Sequence, residues 1–184
     1  AEQLVYWGEL RIKHHAPGSK WNPGKAHALF QRTVTQLEKL TRLPDIDRFK
    51  ARGILVFEPS VDNAQAFKAM IGSGVDATAL AGGWRILGKY NEVAQLARQW
   101  NDSPGVLLQT ALALSTINPG AALATVLHVL EQPKPNPLAF AVLALVNFKR
   151  GDFLLASEAL ENAISIWRNE PDWHIWAAEQ YELL

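Results

Sequence analysis

A chain of 184 residues with 18 Lys+Arg against 18 Asp+Glu, 48% hydrophobic residues, 12 Gly, 10 Pro and no Cys has the composition of a folded domain or repeat array, not of a disordered segment. Without Cys there are neither disulfides nor thiolate metal sites, and a formal net charge of zero argues against broad nucleic-acid binding, which draws on an excess of Lys and Arg. No stretch reaches the roughly 18 consecutive apolar residues of a membrane span.

The chain opens at Ala1 with no basic and apolar leader, so it is expected either to have lost one or to be part of something longer. Absence of Cys suits cytoplasm and periplasm equally. Residues 1–75 read as an irregular, mostly helical region, a possible degenerate copy of the repeat unit that fills residues 76–184. Leu4, Trp7, Gly8 and Leu10 lie along one short helix, and His14 to Ser19 form a loop. Asn22-Pro23 starts the next helix, because Asn caps free amides and Pro is tolerated at the first helical position. Phe30, Val34 and Leu37 mark its apolar face, and Leu43-Pro44 stops it.

Asp45 and Asp47 stand where carboxylates favour exposed helix amides. Lys39, Arg42, Arg48, Lys50 and Arg52 read as a solvated helix face. The run Gly53 to Phe57 before Glu58-Pro59 reads either as a strand or as the end of a helix that begins near Ile46. A helix over Val61 to Ile71 is then closed by Gly72-Ser73-Gly74.

From residue 76 onward a pattern recurs. Leu80, Ala81 and Trp84 precede Gly88-Lys89-Tyr90, and Val93, Ala94 and Ala97 follow. Phe140, Leu143, Ala144 and Phe148 precede Arg150-Gly151-Asp152-Phe153, and Ala156, Leu160 and Ala163 follow. A step of 34 residues back from that last set gives Ala122, Val126 and Val129, with Asn118-Pro119-Gly120 at the turn. A step forward from Pro137 gives Pro171, then Ala177, Ala178 and Tyr181. Small residues let paired helices approach, large ones fill the space between pairs, and Gly at each turn is expected to supply positive φ.

These residues resemble the tetratricopeptide repeat family, with Gly151-Asp152-Phe153 and Ala156 the best match and Gly88-Lys89-Tyr90 the next. The resemblance covers residues 76–184 and implies an all-α superhelical array of antiparallel helix pairs. Val93 departs from the Ala that the family pattern calls for. It also implies a concave groove on the first helix of each pair. Here that face carries Leu107, Ala111 and Leu114 in one copy and Leu138, Ala141, Leu145 and Phe148 in the next, where members that clamp a peptide carboxylate carry Lys, Arg and Asn. A protein or peptide partner is therefore expected on Leu107, Leu114, Leu138, Leu145 and Phe148, with Arg85 and Lys149 at the rim. A second copy of the chain, or the N-terminal region, is an equally natural cover for such a groove.

Chemistry is sparse by comparison. His14, His15, His27 and Glu9 are the one candidate metal cluster, and their spacing does not converge on an ion as helical i, i+4 pairs do. His128 and His174 read as structural. No nucleophile elbow, phosphate loop or dinucleotide fingerprint is present, so neither enzyme activity nor a cofactor is expected. Of the seven Trp, Trp7, Trp84, Trp100, Trp167, Trp173 and Trp176 read mainly as core, whereas Trp21, in a Gly/Pro loop, reads as an exposed anchor. The expected role is a non-catalytic interaction scaffold. The alternative is a ligand-sensing, regulatory portion of a larger signalling or transcription protein, with a pocket beside Trp21.

Overall fold

The computed structural model describes residues 46–133 and 138–166 throughout, together with Gly24, His27, Ala28, Phe30, Gln31, Arg32, Val34 and Thr35. The described residues are all-helical apart from turns and connections, with no strand among them. The chain divides into two compact units, Ala1–Gly88 and Lys89–Leu184. Residues 75 and 76 both lie in the helix that Ser73 caps.

In the first unit α1 spans Ile46–Phe57, α2 Val61–Lys68 and α3 Gly74–Ile86. The run from Gly53 to Phe57 is the last part of α1 and not a strand. Arg52, Gly53, Leu55 and Val56 are buried while Ile54 is exposed, which is a helical and not an alternating pattern. The Glu58 N–H continues the ladder by donating to the Ile54 carbonyl at 2.7 Å. Ser60 caps α2 by accepting from the Asn63 N–H at 3.1 Å.

Gly72-Ser73-Gly74 does not close α2, which ends at Lys68; Ser73 opens α3. Its hydroxyl accepts from the Asp76 N–H at 3.3 Å and donates to Asp76 Oδ2 at 2.9 Å, so Ser73 is the N-cap and Asp76, at the third helical position, answers it. From Ala79 to Trp84 every residue of α3 is buried. Two glycines of this unit, one on α1 and one on α3, admit close neighbours. The Phe30 ring lies where a Gly53 side chain would be, and Leu55 Cδ1 lies 2.9 Å from the position of a Cβ on Gly83.

In the second unit α4 spans Tyr90–Gln99, α5 Pro104–Ile117, α6 Pro119–Leu130, α7 Leu138–Arg150 and α8 Phe153–Ile166. Asn118 alone separates α5 from α6. Its N–H donates to the Leu114 carbonyl at 2.7 Å, and its side-chain oxygen accepts from the Ala121 N–H at 3.1 Å. Pro119 then occupies the first turn of α6, where its missing N–H is not needed.

The α7 to α8 turn works differently. Gly151 has φ +82°, its N–H donates to the Phe148 carbonyl at 2.9 Å, and the Asp152 N–H donates to the Asn147 carbonyl at 3.0 Å. Gly88 likewise has φ +69°. Gly120 does not have positive φ, because the Asn cap makes that reversal and leaves Gly120 inside α6.

The core of this unit gathers Leu107, Leu108 and Ala111 of α5, Ala122, Val126 and Val129 of α6, and Ala139, Val142 and Val146 of α7. A smaller cluster joins Ala144 of α7 to Ala159 and Leu160 of α8. All six of the small or medium apolar positions that the 34-residue step aligns, Ala122, Val126, Val129, Ala156, Leu160 and Ala163, are buried.

Candidate functional site

The sequence-predicted groove residues divide by helix. On α7, Ala139, Ala141, Val142, Ala144, Val146 and Asn147 are buried against neighbours, and α5, α6 and α8 all lie against this helix. Leu138, Leu145 and Phe148 remain half-buried, and Lys149 is exposed. Their i, i+7 and i+10 spacing puts the three apolar residues on one side of the helix, a stripe with a cation at its end. The Phe148 ring is held against Phe153 of α8, with centroids 5.8 Å apart and planes tilted by 59°. Leu138 also packs against the main core.

On α5 the predicted residues are more enclosed. Leu107 is 8% exposed and Ala111 wholly buried, both within the core cluster, and Leu114 packs against that cluster. Gly105, Gln109 and Leu112 of α5 are half-buried and Thr116 is exposed, and Leu112, like Leu114, packs against the cluster. α5 is apolar around almost its whole circumference, so no polar face marks which side meets the core.

Arg85 is half-buried in the last turn of α3, in the first unit, whereas Lys149 belongs to the second. Trp21 lies outside the described residues, as do Glu9, His14, His15, His174, Trp7, Trp167, Trp173 and Trp176. Trp84 is buried at 2% exposure, as its place in the repeat pattern predicts, and Trp100 is half-buried. His128 is exposed in the last turn of α6 and takes no part in the core.

His27 stacks on Phe57 with centroids 5.1 Å apart and planes 12° from parallel, and its Nε2 lies 3.4 Å from Glu58 Oε1. The same nitrogen is 3.1 Å from Gln31 Nε2. Phe30, beside it, touches both Phe49 and Phe57 at centroid distances of 5.5 and 5.4 Å. This aromatic packing gives His27 a place in the first unit without a metal. Among the described residues no three His, Asp or Glu side chains converge on a possible ion position.

Two buried polar features escaped the reading of the sequence. Arg52 and Arg48 do not line a solvated face: Arg52 Nη1 donates to Asp76 Oδ1 at 3.1 Å, and Arg48 Nε lies 3.5 Å from Asp76 Oδ2. Asp76 also accepts from the Gly72 N–H at 3.2 Å, so one carboxylate ties α1 to the start of α3. The Ser73-x-x-Asp76 spacing was the available signal for its local half. The second feature is Asn147, 3% exposed, whose Oδ1 has no hydrogen-bond partner among the described residues.

No protein-family model matches the chain, and neither does a curated protein or a solved structure.

Proposed function

We propose that the chain is a non-catalytic interaction scaffold whose helix pairs stack in the manner of tetratricopeptide repeats, and that it takes an apolar protein segment along the open side of α7. The observation that carries this reading is the row Leu138, Leu145 and Phe148, partly exposed on a helix against which three others lie, although Leu138 also touches the main core and Phe148 the Phe153 ring. A side chain row of this kind gains free energy when a helical or extended partner covers it, roughly 25 cal/mol for each Å² of apolar surface removed from water. Lys149 at the end of the row adds a place for a carboxylate of the partner.

The stacking reading is supported within the second unit, where α5 lies against both α6 and α7, and α7 against both α6 and α8. First helices that meet each other as well as their own partners are what a superhelix of pairs requires. The 34-residue step and the positive φ of Gly151 at the reversal agree with it.

The test is capture of partners from native extract on the 184-residue chain and on a Leu145→Glu variant with an unchanged circular dichroism spectrum. A protein held by the first and lost by the second supports the reading. Identical or empty captures contradict it.

A further inference from the structure

We draw no further inference here: the strongest candidate, the exposed apolar surface patch Phe153, Leu154 and Leu155 in the first turn of α8, carries nothing, because nothing among the described residues shows what covers it.

Discussion

Arg52 Nη1 and Asp76 Oδ1 meet at 3.1 Å, with the two residues only 5% and 1% exposed, so the helix that ends at Phe57 and the helix that begins at Gly74 share a buried ion pair. Taking one charge away strands the other in a medium where it is poorly solvated. Arg52→Met is therefore expected to lower unfolding stability by about 3 kcal/mol or more in urea titration. Asp76→Ala should lower it further, because the Gly72 N–H, the Ser73 hydroxyl and Arg48 lose the same acceptor. Equal losses from the two changes would mean that the carboxylate has no role beyond the pair.

Glycines separate into those that are replaceable and those that are not. Gly151→Ala should destabilise by about 1–2 kcal/mol, the usual penalty for a Cβ at positive φ. Gly120→Ala is expected to stabilise by up to about 1 kcal/mol, because its φ is ordinary and the nearest atom to an added Cβ is Asn118 Oδ1 at 3.7 Å. Gly83→Ala pushes into Leu55 and should cost about 1–3 kcal/mol. Thermal melts of the three variants check the signs together; a stabilised Gly151→Ala would contradict the turn geometry.

Asn147 tests whether a buried polar group in α7 is structural ballast or a used contact. With Oδ1 enclosed and without a partner among the described residues, Asn147→Leu is expected to raise stability by about 1 kcal/mol. A clear loss of stability in the same denaturant titration would show that the amide is satisfied and needed.

The second helices of the pairs were legible in the sequence because Ala122, Val126 and Val129, and again Ala156, Leu160 and Ala163, stand against polar or exposed neighbours at helical spacing. The two Gly turns were legible for the same local reason, since positive φ selects Gly. The faces of α5 were not. Leu107 and Leu112 look alike in a helix that is apolar around almost its whole circumference, and only the tertiary packing makes Leu107 a buried member of the cluster with Val126 and Val142 while Leu112 stays partly exposed at its edge. Gly53 to Phe57 was too short a run for its period to show. The Arg52 to Asp76 pair joins residues 24 positions apart and leaves no local mark, so Arg52 read as one more surface cation.

The open side of α7 is the central claim, and a photoreactive amino acid at position 145 tests it most directly. In native extract the chain should form one discrete protein cross-link from position 145, and none above background from position 116, an exposed control on α5. No cross-link from position 145, or the same products from both positions, would contradict a binding face on α7.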